Sequence, residues 1–174
     1  MIIRKAIPTD LDSVIGIYDA IHTEEEAGRS TTGWKRAIYP VRETAEKALE
    51  RDDLFVLENS GTIYGTALIN QIQVDVYEGA PWKNDAPPEQ VCVLHTLVIS
   101  PDAKGKGYGT AFVRFYEQYA VEHGWTELRI DTNERNRAAR SLYARLGYEE
   151  ISIIPTIFNG IPGINLVLLE KTMR

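Results

Sequence analysis

The stretch from residue 90 to residue 123 constrains the fold more than any other part of this sequence. Residues 90–99 are rich in Val, Leu and Ile, which predicts a central strand. Glycines and charged residues follow, and aromatic residues then recur at helical spacing as far as His123-Gly124. A helix that begins after a glycine loop presents unpaired main-chain N–H groups and the positive end of its dipole. The stretch therefore predicts an anion site at the start of this helix.

The rest of the chain carries strand and helix patterns without an internal repeat or a linker. The predicted order is β-α-α-β-β-β-α-β-α-β-β, a mixed α/β domain. A short turn is expected at Ser60-Gly61, and a longer loop is expected at residues 158–163. Strands are predicted at residues 2–7, 54–58, 62–71, 90–99, 127–132, 148–155 and 164–171, and helices at residues 11–21, 42–51, 108–123 and 136–146.

Composition narrows the class of protein before any motif is considered. The 174 residues suit one domain with its own core, and the formal net charge of -6 leaves no general basic face for nucleic acid. The single cysteine, Cys92, excludes an intrachain disulfide and indicates a reducing compartment. The apolar runs are shorter than the ~18 residues of a membrane helix, and the first residues lack the features of a signal peptide. We expect a cytoplasmic protein without a nucleic-acid or membrane partner.

The glycine loop at residues 104–109 reads Lys-Gly-Lys-Gly-Tyr-Gly. It differs from the P-loop, which ends in Gly-Lys-Ser/Thr, and from the dinucleotide fingerprint, which spaces its glycines as G-x-G-x-x-G. Lys104 and Lys106 add positive charge to a main chain that can approach a phosphate closely. We expect the loop to hold a pyrophosphate. An ordinary flexible turn is the alternative that the loop alone does not exclude.

Two longer segments carry a family resemblance. Residues 95–109, His-Thr-Leu-Val-Ile-Ser-Pro-Asp-Ala-Lys-Gly-Lys-Gly-Tyr-Gly, resemble motif A of the GCN5-related N-acetyltransferases (GNAT), whose pattern is Arg/Gln-x-x-Gly-x-Gly/Ala. Lys104 stands at the Arg/Gln position, so the charge is kept but the planar guanidinium fork is lost. Residues 131–148 are similar to motif B, because an Asn, an Ala, a Leu-Tyr and a Leu-Gly-Tyr follow one another at the family's spacing. The two motifs together, in this order, make the resemblance specific.

The resemblance implies both a fold and a reaction. The implied fold is α/β: a mixed, mostly antiparallel central sheet of about seven strands flanked by about four helices, in a single GNAT domain over residues 1–174. The implied reaction moves the acetyl group of acetyl-CoA, without a metal, to a primary amine of a small molecule by direct transfer in a ternary complex. Transfer to a protein N-terminus or lysine, and non-catalytic sensing of acyl-CoA, are the alternatives. A homodimer is expected by analogy with the family.

By the same resemblance, the acetyl-CoA site combines a strand, the glycine loop and the last helix. The strand is expected to part from its neighbour and to pair with the pantetheine arm through its main chain, although an ordinary central strand would show the same apolar run. Asn136 is expected to bond this arm, to cap the helix that it begins, or both. The expected cofactor contacts are Leu97, Val98, Ile99, Lys104, Gly105, Lys106, Gly107, Tyr108, Gly109, Thr110, Asn136, Ala139 and Tyr143.

Acetyl transfer needs a base for the acceptor ammonium, whose pKa is ~10.4, and an acid for the leaving thiolate. Tyr143 is the expected acid, because the family has a tyrosine near the CoA sulfur; a core aromatic at helical spacing is the alternative. His95 and Asp131 compete for the role of base, and Glu89 is a weaker third candidate. Strand alternation is expected to put His95 on the same face as Leu97. A buried, hydrogen-bonded histidine and a strand-end carboxylate are the alternatives for the two main candidates.

The acceptor side of such a fold would be flanked by the end of the first helix, by residues 24–40 and by the loop at residues 158–163. Carboxylates and aromatic rings there suit a cationic amine by charge pairing and cation–π contact. Glu25, Trp34 and Tyr39 are the expected substrate contacts. A solvated acidic helix end is the alternative for the carboxylates.

Overall fold

The computed structural model describes residues 1–173, and one sheet of seven strands runs through them. The strands are β1 (Ile2–Lys5), β2 (Leu54–Asn59), β3 (Thr62–Asn70), β4 (Val91–Ile99), β5 (Glu127–Asn133), β6 (Glu149–Phe158) and β7 (Ile161–Thr172). They lie side by side in the order β1-β2-β3-β4-β5-β7-β6. The β4–β5 pair is parallel, and the other five neighbouring pairs are antiparallel.

Four α-helices accompany this sheet within residues 1–173. They are α1 (Leu11–Glu26), α2 (Arg42–Glu50), α3 (Tyr108–Glu122) and α4 (Arg137–Arg145). The predicted fold class is confirmed, and the strands and helices follow one another in the predicted order. In the described part of the chain, no helix combines the length and the apolar character needed to cross a membrane.

The helices pack on both faces of the sheet. α3 and α4 cover one face, where Phe112 and Tyr116 are fully buried against the strands. α1 and α2 cover part of the other face, where Val14, Tyr18 and Ala48 pack on β2 and β3. Because the central strands are covered on both faces, they carry nearly continuous apolar runs instead of alternating ones.

The connection between β3 and β4, residues 71–90, crosses the rest of the second face, and we call it the strap. The Trp82 ring of the strap lies over the Arg129 guanidinium, with 3.9 Å from the guanidinium carbon to the ring centre. The main-chain N–H of Lys83 donates to the buried Glu170 carboxylate at 2.7 Å. The strap is therefore fixed against β5 and β7.

β4 separates from β5 at a β-bulge. Residues 91–94 of β4 pair with residues 127–130 of β5, and the pairing of the two strands stops there. Thr96 has a φ of 52°, in the left-handed region. Because a bulge adds one residue to a strand and bends it, the second half of β4 turns away from the second half of β5.

The bulge also changes which face the later side chains of β4 occupy. His95 lies opposite Leu68 of β3, and Val98 lies opposite Thr66. Three steps along β4 therefore correspond to two steps along β3. His95 and Val98 therefore share the α1 face, and Leu97 packs on the α3 face. The expectation that His95 and Leu97 share a face is wrong, because the alternation of a regular strand is interrupted between them.

Two hairpins of the sheet turn on pairs of residues with positive φ. Ser60 and Gly61, with φ of 51° and 79°, join β2 to β3 at the predicted turn. Asn159 and Gly160, with φ of 51° and 77°, join β6 to β7. The predicted loop at residues 158–163 is wrong: apart from this pair, the stretch belongs to the two strands, because Asn-Gly closes a hairpin in two residues.

Candidate active site

Two adjoining cavities lie where β4 and β5 part. The larger, of about 540 Å³, extends along the starts of α3 and α4. The smaller, of about 110 Å³, lies towards the strap and the turn between β6 and β7. Both are lined by Thr32, Leu97, Asn136, Ala139 and Tyr143. The two cavities therefore meet between β4 and α4.

The glycine loop lines the larger cavity at the start of α3. Gly107 is the N-cap of this helix with a φ of 78°, and Gly105 has a φ of 81°. Gly107 has no side chain that could accept hydrogen bonds from the first turn, so the main-chain N–H groups of this turn are available to an anion. A Cβ added at either glycine would meet no atom of residues 1–173 within 4 Å. The missing side chains therefore leave open space in front of the loop.

The predicted cofactor contacts come together around the larger cavity, with one exception. Lys106 does not line it; its Nζ lies over the Tyr64 ring, 5.3 Å from the ring centre. Lys104, at the family's Arg/Gln position, does line it. The predicted residues that line the larger cavity are Leu97, Val98, Ile99, Lys104, Gly105, Gly107, Tyr108, Gly109, Thr110, Asn136, Ala139 and Tyr143.

α4 forms the wall that the two cavities share. The Asn136 Oδ1 accepts a hydrogen bond from the Ala139 N–H at 3.2 Å, so this side chain caps the helix. The same residue lines both cavities, and a cap does not exclude a second contact from its amide. A Cβ on Gly109 would lie 3.3 Å from Leu142, so the start of α3 packs closely on α4.

Two connections cover the smaller cavity. Residues 27–41, between α1 and α2, form what we call the 27–41 loop. A Cβ on Gly33 would lie 2.4 Å from the Asn133 Nδ2, so the main chain of this loop rests directly on the end of β5. A Cβ on Gly160 would lie 3.5 Å from Ile38, so the β6–β7 turn approaches the same loop. Together they close one side of the cavity.

Glu25 holds the 27–41 loop in place. Its carboxylate accepts hydrogen bonds from the N–H and the hydroxyl of Thr32, at 2.9 and 3.0 Å, and from the N–H of Gly33 at 3.0 Å. It lines neither cavity. The expectation that Glu25 contacts the substrate is therefore corrected: its oxygens satisfy main-chain donors of the loop instead.

Trp34 and Tyr39, the other two expected substrate contacts, both line the smaller cavity. Their rings meet edge to face, with centres 6.0 Å apart. The Tyr39 hydroxyl is hydrogen-bonded to the Thr96 hydroxyl, which ties the 27–41 loop to the bulge of β4. Burial raises the pKa of Tyr39 to about 12, so this phenol stays protonated near neutral pH.

Asp131 lines the smaller cavity from the part of β5 that has separated from β4. The Tyr77 hydroxyl, on the strap, donates to its Oδ2 at 2.7 Å. Burial raises the pKa of Asp131 to about 6, and the hydrogen bond from Tyr77 opposes part of this shift. The carboxylate is thus ionised at pH 7, yet it is more basic than an exposed aspartate.

His95 lines the same cavity, where it is hydrogen-bonded to Asn70. Its Nε2 lies 2.9 Å from the Asn70 Oδ1, and because that oxygen can only accept, the imidazole donates. Burial lowers the pKa of His95 to about 4, so the ring is neutral at pH 7. The structure therefore shows a half-buried, hydrogen-bonded histidine, close to the alternative that the sequence left open.

Tyr143 projects from α4 to the junction of the two cavities. The residue is buried, and its ring meets the Tyr148 ring at an angle of 62°. Burial raises the pKa of Tyr143 above its usual value, and the nearby Asp131 carboxylate raises it further. The phenol therefore remains a hydrogen-bond donor throughout the neutral pH range.

The remaining candidate base and three contributors that the sequence did not reveal complete the site. Glu89 lies outside both cavities, in the single helical turn Pro88–Gln90. Three residues that belong to no motif are hydrogen-bonded to the candidates: Tyr77 to Asp131, Asn70 to His95 and Thr32 to Glu25. The first two are 54 and 25 residues from their partners in the sequence, so no short pattern could have indicated them. Within residues 1–173, no three His, Cys, Asp or Glu side chains are grouped to hold a metal ion.

The seven-stranded sheet and its four helices have the GNAT acetyltransferase fold. Residues 17–148 match the acetyltransferase (GNAT) family, and the chain belongs to this family.

Individual relatives agree with this membership. An uncharacterized N-acetyltransferase of Methanocaldococcus jannaschii is 26% identical over 158 residues, which cover 87% of this chain and 62% of that protein. This chain spans less than two thirds of the length of its other curated relatives as well. A GNAT-family acetyltransferase structure from Streptococcus agalactiae has a TM-score of 0.81 at 21% identity, over 99% of this chain and 95% of that one. A structure from Salmonella typhimurium, with its cofactor acetyl-CoA, has a TM-score of 0.71 at 16% identity, over 100% of this chain and 94% of that one. These two structures share the fold with this chain.

Replacing Tyr77 by Phe should raise the pKa of Asp131 further above its value of about 6, because the hydrogen bond that favours the ionised carboxylate is lost. A hydrogen bond to a charged group contributes ~1.5–3 kcal/mol, which corresponds to a rise of roughly one to two pKa units. The pKa is measured from the pH dependence of the Asp131 carboxyl carbon resonance, assigned by its loss in Asp131→Asn. Tyr18→Phe, at a buried tyrosine of α1, is the control and should leave the pKa of Asp131 unchanged. An unaltered pKa in Tyr77→Phe would contradict the assigned contact.

Proposed function

We propose that this chain transfers the acetyl group of acetyl-CoA to a primary amine of a small molecule, directly and within a ternary complex. The observation that carries the proposal is the junction of two cavities at Leu97, Asn136 and Tyr143. The larger cavity begins at the free main-chain N–H groups of the first turn of α3, and the smaller one contains a half-buried carboxylate, Asp131. A thioester carbonyl at this junction would meet an amine arriving from the side of the carboxylate.

The residues of the larger cavity fit acetyl-CoA. Its diphosphate needs N–H donors, which the first turn of α3 offers, and open space, which Gly105 and Gly107 leave. Lys104 adds a positive charge. The pantetheine arm carries amides that suit main-chain pairing with residues 97–99, where β4 has no partner in β5. When bound, acetyl-CoA supplies the acetyl group and a thiolate leaving group.

Asp131 is the proposed acceptor of the proton that the ammonium must lose. A general base works best when its pKa lies near the working pH while the group is still ionised. The pKa of Asp131, about 6, satisfies this condition better than that of His95, about 4. The Nε2–H of His95 is donated to Asn70, and the low pKa of this imidazole makes it the weaker base of the two.

Tyr143 is the proposed donor to the leaving sulfur. Its raised pKa exceeds the ~8.5 of a thiol, so its hydroxyl stabilises the thiolate by a hydrogen bond and does not give up its proton completely. The amine nitrogen forms the new bond to the acetyl carbon as the bond from carbon to sulfur breaks. Over the whole reaction the nitrogen loses two protons, one to Asp131 before attack and one that ends on the sulfur.

The covered smaller cavity favours a small acceptor over a protein. A protein N-terminus or a lysine side chain would need a groove through which its chain could enter. In this chain Gly33 rests on Asn133, and Gly160 approaches Ile38, on the side where such a groove would run. A non-catalytic acyl-CoA sensor, in turn, has no need of a basic carboxylate beside a protonated tyrosine at the junction.

Two further expectations stay predictions. The homodimer would use the free edge of β6, the last strand of the sheet, where Ile153 and Ile157 are exposed. A cytoplasmic location follows from the sequence composition alone.

Gly107→Asp should weaken acetyl-CoA binding at least about 100-fold, because the new carboxylate stands in front of the α3 amides and repels the diphosphate. Isothermal titration calorimetry gives the dissociation constant. Gly124→Asp is the matched control: Gly124 has a φ of 76°, meets no atom within 4 Å of an added Cβ, and lies beyond the other end of α3. Both variants carry the same backbone strain and charge, so equal affinities would remove the loop from the proposed site.

The kcat/KM for an amine, measured by release of the CoA thiol, should rise with pH up to about 6 and then level off as Asp131 becomes ionised. Asp131→Asn should remove this rise and lower the rate at least about 100-fold at pH 7. His95→Ala should keep the midpoint near pH 6.

Other outcomes of this assay separate the alternatives. A wild-type rate that climbs steadily towards pH 9, with no effect of Asp131→Asn on its shape, would assign proton removal to solvent. Thiol release with peptide N-termini or lysines but with no small amine would favour the protein acetyltransferase. Binding of acetyl-CoA without release by either class of acceptor would favour the sensor.

A further inference from the structure

We propose that the acceptor is a small primary amine that carries one positive charge and no acidic group. The inference rests on the proposed function, because it takes the smaller cavity as the site of the acceptor. It follows from the charged and neutral side chains that line this cavity.

The charges of the cavity match a monocation. Asp131 is its one acidic side chain, and no lysine or arginine occurs among the described residues that line it. His95 is neutral at pH 7, and Tyr39 and Tyr143 remain protonated. A carboxylate or phosphate on the acceptor would therefore find no counter-charge and would lie in the same small cavity as Asp131. Burying an unpaired charge in this way is strongly unfavourable.

Asp131 supplies the negative charge of one carboxylate, which one ammonium balances. Its Oδ2 accepts the hydrogen bond from Tyr77, and its remaining lone pairs are left for the acceptor. A second ammonium, as in a diamine, would find no second carboxylate among the described residues that line the cavity. Glu25, the carboxylate that the sequence indicated, is occupied by Thr32 and Gly33 and lines neither cavity.

The remaining walls mix apolar and neutral polar side chains. Trp34 and Tyr39 contribute aromatic rings from the 27–41 loop, and Phe158, Ile161 and Ile164 contribute side chains from the β6–β7 hairpin. The neutral polar part of the wall consists of Thr32, Thr96, Thr132, Asn133, Asn136 and Asn159. Apolar surfaces bind the hydrocarbon part of a ligand, and amides and hydroxyls orient its polar groups. Because none of these side chains is charged, the cavity offers the acceptor a single charge, at Asp131.

Matched pairs of amines test the inference on the wild-type protein. Phenylalanine is phenethylamine with a carboxylate on the carbon next to the nitrogen, and 1,4-diaminobutane is butylamine with a second amine. The expected kcat/KM, from CoA thiol release, is at least about 100-fold higher for phenethylamine than for phenylalanine, and at least about tenfold higher for butylamine than for the diamine.

A cation added to the cavity should reverse part of this preference. Asn159 lines the cavity with a φ of 51°, so Asn159→Lys and Asn159→Gln carry similar strain but differ in charge. Asn159→Lys should raise the kcat/KM ratio of phenylalanine to phenethylamine at least about tenfold, and Asn159→Gln should leave it near the wild-type ratio. We expect the KM for acetyl-CoA to be the same in both variants as in the wild type. This result would show that the larger cavity is intact.

The outcomes distinguish this inference from the proposed function. If phenylalanine or the diamine is acetylated as efficiently as its partner, transfer stands and the inference about the acceptor is overturned. If Asn159→Lys and Asn159→Gln change the ratio equally, the charge argument is overturned as well. If no amine of the panel releases thiol while acetyl-CoA still binds, the proposed function is overturned, and the inference that rests on it is overturned as well.

Discussion

The interruption of β4 at Thr96 is the constraint on which the rest of the site depends. In a continuous parallel pair, the main chains of β4 and β5 would be bonded to each other along their whole length, and no ligand could lie between them. The bulge ends this pairing after Leu94, and the Tyr39 hydroxyl is bonded to the bulged residue from the 27–41 loop. The gap that results lies between an anion site at the start of α3 and a carboxylate on β5.

Enclosure then determines what each titratable group of the site can do. The same burial raises the pKa of Asp131, lowers that of His95 and keeps Tyr143 protonated. The environment, and not the residue type, therefore distinguishes the proposed base Asp131 from His95, since either side chain could serve as a base in water. The strap contributes through Tyr77, whose hydrogen bond limits the rise in the pKa of Asp131.

Local patterns predicted much of this architecture. The apolar run of β4, the glycine loop and the helix after it have their signals within about thirty residues, and Asn136 occupies a helix start that its side chain can cap. Thr96 could not be predicted, because a β-branched residue gives no indication of a positive φ. For Glu25 the sequence left a substrate contact and a solvated helix end as alternatives, and it gave no signal for the three donors of the 27–41 loop that the carboxylate binds. Asn159-Gly160 did carry a hairpin signal, which Pro162 and Gly163 obscured.

A crystal structure of the complex with acetyl-CoA would show whether the ligand occupies the gap between β4 and β5. We expect the pantetheine arm between residues 97–99 and residues 131–133, the diphosphate on the main-chain N–H groups that follow Gly107, and the thioester beside the Tyr143 hydroxyl. A nucleotide bound elsewhere, with β4 and β5 joined beyond Leu94 and the glycine loop filled by its own side chains, would contradict it.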